Sequence, residues 1–306
     1  MAYRKEIEIS KFAVKEAMKL CQKIQAKINE KKLRHKADQS LVTVADYASQ
    51  ILITKILREN FPNDCILAEE EGSLLLSDKK LLEQVLKILH EANYKLNPQN
   101  LETLFLTLKK RDNASRFWVL DPIDGTAGFV KKTHYAIALA LIDQGQVGTA
   151  TLACPNLEQN FNVPSNAIYS AVKGQGAYCE KRQLFVKKND REAIICVSPN
   201  PQHSSMEAAR ELAKKLQSSE KLLPVHGQCK YALLIEGLAD IYHRKPINPN
   251  YREKIWDHAA GYLLLKEAGG YCTDQEKNEL IWNFHEELSE NFGILATSNK
   301  QQQEEL

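Results

Sequence analysis

Trp118-Val-Leu-Asp121-Pro-Ile-Asp124-Gly-Thr126 places an apolar run, two acids and a helix start within nine residues. Residues 117–120 have the aromatic and β-branched make-up of a short buried strand. The strand is expected to end at Asp121-Pro122, because Pro122 fixes the local backbone and has no N–H for a ladder. The turn aims Asp121 and Asp124 outward and exposes carbonyls such as that of Ile123. Gly125-Thr126 then opens a helix whose first amides offer an anion site. Two carboxylates a few ångströms apart repel by about 4 kcal/mol at an effective dielectric of ~20. A divalent cation is the economical compensation, and ligands that are all oxygen select hard ions such as Mg²⁺ or Mn²⁺. An acid pair beside an anion cradle equips a site for metal-assisted phosphoryl transfer to water. The competing reading is an Asp-rich turn that caps a helix, and a lone Asp-x-x-Asp favours it.

Working outward, three further acidic positions bear on that choice. Glu69-Glu70-Glu71 follow the apolar run 65–68, so at least one of them is expected at the mouth of the fold. The alternative is a solvated charge run. Asp257 sits in Ile255-Trp256-Asp257-His258-Ala-Ala-Gly261, and Asp46 precedes an apolar helical pattern. Taken singly, each reads as a helix N-cap. Other chemistries lack their signatures. The chain has no Gly-x-Ser-x-Gly elbow, no P-loop and no His-Glu-x-x-His, and Gly174-x-Gly176 lacks the third glycine of a dinucleotide loop.

The composition is that of an ordinary globular chain. Of 306 residues, 43% are hydrophobic and 26% charged, enough for a sizeable core. The length corresponds to about two domains at ~150 residues each. A formal net charge of +2 argues against a strongly basic binder of nucleic-acid polymers and against an acidic disordered chain. The longest apolar run, 136–142, is far short of the ~20 residues of a membrane span. The N-terminus has an early acid and no apolar core, so it does not read as a signal peptide. Seven scattered cysteines without a Cys-x-x-Cys pair read as reduced thiols in a cytoplasmic protein.

Periodicity predicts helices over 7–28, from Asp46 to about residue 60, over 204–217 and 230–236, and over 255–268 up to Gly269-Gly270. Residues 74–110 are Leu- and Lys-rich with helical spacing, broken at Asn97-Pro98, and read either as a lid or as packed helices. Strands are expected over 65–68 and 238–242, with a hairpin of 135–142 and 146–153 about Asp143-Gln-Gly145. A composition break after Pro155 divides the chain into an N-terminal part, 1–158, and a C-terminal part, 159–306. Alternating strands and helices with an antiparallel hairpin imply an α/β layered sandwich rather than a parallel barrel.

Taken together, the segments resemble the inositol monophosphatase superfamily of lithium-sensitive, magnesium-dependent phosphatases. The run Trp118 to Thr126 and the run Trp256 to Gly261 are similar to its two hallmark stretches. Ala68-Glu69-Glu70 matches its paired glutamates, with Ala68 where Gly is usual. Within the superfamily the chain most resembles the 3'(2'),5'-bisphosphate nucleotidases. Asp46-Tyr-Ala-Ser-Gln50, Thr126-Ala-Gly128-Phe129 (with Ala127 in place of a common Lys), Cys154-Pro-Asn-Leu157 and Val172-Lys-Gly-x-Gly-Ala177 carry that likeness. Gly237-Leu-Ala-Asp240 and Tyr251-x-Glu-Lys-Ile-Trp-Asp-His258 extend it.

The resemblance implies an αβαβα sandwich holding two to three Mg²⁺ ions. By carry-over, Glu69, Asp121 and the Ile123 carbonyl hold a first ion. Asp121, Asp124 and Asp257 hold a second, and Glu70 and Asp46 lie near a third. Asp46 and Thr126 form the pair that activates the attacking water. A hydroxyl alone is too weak a base for that task. Gly125, Thr126, His203, Lys230 and Arg244 contact the substrate. Gly227 stands where some relatives carry Ser. The implied reaction removes the 3'-phosphate of 3'-phosphoadenosine 5'-phosphate to give AMP, with the sulfated precursor nucleotide as a second substrate. An inositol polyphosphate 1-phosphatase, or a dual enzyme, shares the metal motif. A catalytically idle nucleotide sensor and a phosphatase using an Asp nucleophile are the readings from other classes.

Overall fold

The computed structural model describes residues 2–28, 36–106, 114–187, 191–200, 205–216, 218 and 221–300, with residues 36–41 and 106 described for the backbone alone. The chain begins with two long helices, α1 (Arg4–Lys27) and α2 (Lys36–Asn60). Ala13, Val14, Ala17, Leu20, Cys21 and Ile24 make the buried stripe of α1 at three- and four-residue spacings. Helix α2 starts well before Asp46, where the pattern predicted its start. Val42, Val44 and Ala45 are already buried, so the apolar face reads through and leaves Asp46 in the helix interior rather than at a cap.

Strands β1 (Cys65–Ala68), β2 (Arg116–Asp124), β3 (Ala136–Asp143), β4 (Gln146–Cys154), β5 (Ala167–Val172), β6 (Ala177–Cys179) and β7 (Arg182–Leu184) form a sheet in that order. The pair β1 and β2 is parallel and the other pairs are antiparallel. Between β1 and β2 lie helices α3 (Gly72–Ser77), α4 (Lys79–Glu91) and α5 (Pro98–Leu106). They are packed helices, with Leu75, Val85, Leu89 and Leu101 fully buried in the cluster shared with α2. The short helix α6 (Thr126–Val130) follows β2.

The second sheet has the order β11 (Tyr271–Thr273), β12 (Ile294–Thr297), β10 (Ile241–Arg244), β8 (Ile195–Val197), β9 (Leu222–Pro224). Helices α7 (Met206–Lys215), α8 (Cys229–Ile235) and α9 (Ala259–Glu267) complete this half. The first sheet runs past residue 158 to Leu184, and the second starts at Ile195. Strand β10 lies later than the predicted 238–242, because the amides of Leu238 and Ala239 both turn back to the Leu233 carbonyl in the last turn of α8.

Alternation along the strands sets the layers. Ile66, Trp118, Leu120, Ile137 and Leu139 pack against α1 and α2. Phe117, Val119, Ala138 and Ala140, on the opposite parity, pack with α8 and α9, and so do Cys196, Tyr242 and Ala296 of the second sheet. Ala209 and Ala213 of α7 join Ile195 and Val197 on the far face of that sheet. The order is therefore helices, sheet, helices, sheet, helix: the αβαβα sandwich. No helix among the described residues is long and apolar enough to cross a membrane. The seven cysteines are all buried and free.

Candidate active site

Strand parity also delivers the acids. Residues 65, 67 and 69 share one side of β1, and 117, 119 and 121 share the same side of β2, as the pairs Cys65–Phe117 and Leu67–Val119 require. Continuing both strands carries Glu69 and Asp121 toward the α9 layer. Glu70, on the other parity, turns toward α2, where Gln50 exchanges two hydrogen bonds with its backbone at 2.9 and 2.7 Å.

Beyond Asp121 the β2–β3 register shifts before Asp124. Pro122 sits in that irregularity, the position in a sheet where its missing N–H does least harm. Its carbonyl accepts from Ser49 at 3.1 Å, and the Ile123 amide donates to Asp121 Oδ1 at 3.1 Å. The strand thus continues through Asp124 instead of ending at Asp121, and the bulge turns both acids to one end of the sheet.

Asp257 comes from the second hallmark run. The helix predicted over 255–268 is split into a 3₁₀ turn, Ile255–Asp257, and α9, with His258 as the break at φ −136°. No side chain caps α9, so Asp257 is not its N-cap. The small residues Ala259, Ala260 and Gly261 bring α9 close to α8: a Cβ on Gly261 would lie 2.1 Å from the Tyr231 ring. Gln228, 1% exposed, fastens the two runs together. Its amide donates to Asp124 Oδ2 at 2.6 Å and its side chain donates to the Trp256 carbonyl at 2.9 Å. Its Oε1 accepts from the Gly261 amide at 3.0 Å. Gly227 beside it has φ +54°, and a Cβ there would lie 2.4 Å from the Asp124 carbonyl oxygen, so the close approach requires glycine.

These elements enclose a cleft of about 510 Å³. Nine positions singled out from the sequence line it: Glu69, Asp121, Ile123, Asp124, Gly125, Thr126, Lys230, Arg244 and Asp257. Glu70 lines an adjoining cavity of about 690 Å³ that shares Glu69, Tyr251 and Asp257 with the cleft. Asp46 lines neither. It is buried on α2 behind Glu70, and no hydrogen bond joins it to Thr126 among the described residues. The Thr126 hydroxyl instead lies 3.5 Å from the Ile123 carbonyl oxygen. His203 falls outside the described residues. The cleft also contains Lys131, Ser198, His226 and Tyr242, which the sequence reading did not select. Ser198 just follows β8, so the rule that ligands gather at strand carboxyl ends would have found it. His226 carries no comparable signal.

The floor is strongly acidic. Burial and the charges of Glu69, Asp124 and Asp257 hold the Asp121 carboxyl far above its usual range. Burial, then Asp124, does the same to Asp257, and burial with Glu70 and Glu69 raises Asp46. Desolvation and the Glu70 charge push Glu69 up to about 7. The opposite wall is cationic. Lys230 is 2% exposed, bonds the Gly227 carbonyl at 2.8 Å and lies 5.0 Å over the Tyr242 ring. Burial lowers its pKa.

An acid cluster of this kind persists either by holding protons or by binding a cation. Its donors are carboxylates and a carbonyl, the set preferred by hard divalent ions, so the residues present fit such ions. The layered αβαβα fold thus sets an oxygen-lined acidic floor at its strand ends. A family profile described as the inositol monophosphatase family matches residues 5–306, and the chain belongs to that family. It is 32% identical to a 3'(2'),5'-bisphosphate nucleotidase of Emericella nidulans, over 99% of this chain and 97% of the relative. It is 37% identical to one from Oryza sativa, over 98% and 91%. An inositol monophosphatase from Anabaena shares the fold with a TM-score of 0.65 at 19% identity, over 100% of this chain and 95% of the other.

Proposed function

We propose that the protein is a Mg²⁺-dependent 3'(2'),5'-bisphosphate nucleotidase that converts 3'-phosphoadenosine 5'-phosphate to AMP and phosphate. One observation carries the reading: a single cleft has an acidic floor on one side and two buried cations, Lys230 and Arg244, on the other. A substrate with two phosphates matches such a cleft, with the scissile phosphate over the acids and the retained one on the cations. The names of the curated relatives support the same assignment.

In this reading Glu69, Asp121, the Ile123 carbonyl, Asp124 and Asp257 hold the ions, with Glu70 at the edge. Bound ions lower the pKa of water and neutralise charge on the transferring phosphoryl group. Thr126, at the start of α6, orients the attacking water, and the proposal pairs it with the Asp46 carboxylate, which has to come within hydrogen-bond reach of that hydroxyl when ions and substrate fill the cleft. The amides of Gly125 and Thr126 open the first turn of α6 at the cleft and receive the scissile phosphate. Lys230 serves as a point charge for the retained phosphate and Arg244 as a planar fork. Water attacks directly, without a phosphoenzyme, in the cytoplasm.

Phosphate release from 3'-phosphoadenosine 5'-phosphate and from inositol 1,4-bisphosphate, with Mg²⁺ and with or without Li⁺, tests the proposal. Preference for the nucleotide and inhibition by Li⁺ are expected. Preference for the inositol would overturn the substrate while leaving the acidic floor in place. No release from either would favour a sensor.

A further inference from the structure

Glu253 is 1% exposed and lines neither cavity, yet it stands four residues before the cleft acid Asp257. Its Oε2 lies 2.6 Å from an Arg244 guanidinium nitrogen and 3.3 Å from His258 Nε2. The other ring nitrogen of His258 is 3.0 Å from the Tyr231 hydroxyl, which ties this carboxylate to the α8–α9 core. The same guanidinium nitrogen of Arg244 lies 3.8 Å from Asp257 Oδ2 and donates to the Tyr251 hydroxyl at 3.3 Å. Arg244 Nε is buried without a hydrogen-bond partner among the described residues.

An arginine placed between two carboxylates goes to whichever holds it more closely. If it moved onto Asp257, it would neutralise an acid of the floor and withdraw its fork from the wall. Glu253, Asp257 and His258 offer atoms within 4.8 Å of one another, the spacing of a metal trio. Glu253 is already taken by Arg244 and His258, so the trio is better read as an anchor for the arginine.

We propose that Glu253 is the positioning residue for Arg244, with the Tyr251 hydroxyl as second anchor, holding the guanidinium toward the retained phosphate and off Asp257. The inference rests on Arg244 being a contact for that phosphate. It predicts a KM effect confined to substrates that carry the second phosphate, whereas any fall in kcat from an arginine moved onto Asp257 is shared by both substrates.

The test compares Glu253→Gln, Tyr251→Phe, Arg244→Gln and the double variants. KM and kcat are measured for 3'-phosphoadenosine 5'-phosphate and for adenosine 3'-monophosphate, which lacks the 5'-phosphate. AMP binding to metal-free protein is measured by calorimetry, and folding is followed by thermal melts. Glu253→Gln is expected to raise KM for the bisphosphate about tenfold, as loss of a charge-assisted anchor would. Tyr251→Phe is expected to raise it about twofold. AMP binding should weaken in step, while KM for the 3'-monophosphate stays put. In the Arg244→Gln background neither change should add anything. Equal KM increases for both substrates, or effects additive with Arg244→Gln, would overturn the proposal. If Arg244→Gln weakens AMP binding and Glu253→Gln does not, positioning fails and the wall stands. If Arg244→Gln itself has no effect on AMP binding, the reading of the wall falls and the inference with it. Should Glu253→Gln not fold, Tyr251→Phe, at a 38% exposed position, decides: unchanged AMP binding overturns the proposal.

Discussion

Glu253 and Asp121 are carboxylates of nearly equal burial, 1% and 2% exposed, set in opposite surroundings. Burial works against the charge of Glu253, but Arg244 and His258 outweigh it and keep the group more acidic than usual. At Asp121, burial is reinforced by Glu69, Asp124 and Asp257, and the group is driven far the other way. Burying a charge is expensive unless a partner lies within reach. Where the chain supplies the partner, the charge becomes architecture. Where the chain surrounds a buried acid with more acids, the partner must come from outside.

The sharpest way to break this contrast is to neutralise Asp121. In Asp121→Asn, phosphate release should fall at least ~1000-fold if, as proposed, Asp121 is shared by the ions of the floor. In chelator, however, the variant should melt a few degrees higher than the parent, since a repulsive buried acid is gone. The stabilisation by Mg²⁺ should shrink at the same time. A variant that melts lower in chelator, or still turns over, would show that Asp121 is not an uncompensated charge. The matching change at Glu253 should move stability in the opposite direction.

Gln228 links the two regimes, since it holds Asp124 on one side and the Trp256–Gly261 turn on the other. Gln228→Ala removes both side-chain bonds and leaves the Trp256 carbonyl and the Gly261 amide without that partner, while the bond from its own backbone to Asp124 survives. Two buried groups left unmet should lower stability by about 2–4 kcal/mol. Turnover should fall about tenfold as Asp257 loosens relative to Asp124. Thermal melts and phosphate release would check both. An unchanged melt would mean that the two runs are held together by packing alone.

The acids were legible in the sequence because each is local. Alternation along 65–69 and 117–121 is enough to put Glu69 and Asp121 on one side of neighbouring parallel strands. The Asp-Pro-Ile-Asp run marked both acids but read as the end of the strand, whereas β2 carries Pro122 within an irregularity and continues to Asp124. What escaped is what depends on distant partners. Gln228 looks like any polar residue on a helical pattern, and only the meeting of α8, α9 and β2 makes it a hub. Glu253 was visible in its motif but carried no role, since Arg244 reaches it from a strand of the second sheet. Asp46 illustrates the reverse error: a good capping residue beside an apolar pattern, overridden because the buried face of α2 continues upstream of it. The missed cleft residues His226 and Tyr242 arrive by the same long-range assembly.

The gentlest probe of the contrast is pH, applied without any mutation. Glu69 in the folded protein titrates at about 7, above its usual 4.5, and Asp46, Asp121 and Asp257 are displaced in the same direction. Between about pH 4.5 and 7, the folded metal-free protein therefore holds protons that the unfolded chain has released. Stability must then fall as pH rises through that window, because the unfolded state binds fewer protons there. Melting temperatures in chelator should drop by a few degrees from pH 5 to pH 7.5. Added Mg²⁺ competes with the same protons, so the rise in melting temperature it causes should grow with pH over that range. Glu253, whose charge is internally matched, contributes the opposite slope only at lower pH, as its depressed pKa is crossed. A flat or rising melting temperature in chelator between pH 5 and 7.5, or a Mg²⁺ effect independent of pH, would mean that the floor acids are not mutually unbalanced, and the distinction between the two regions would collapse.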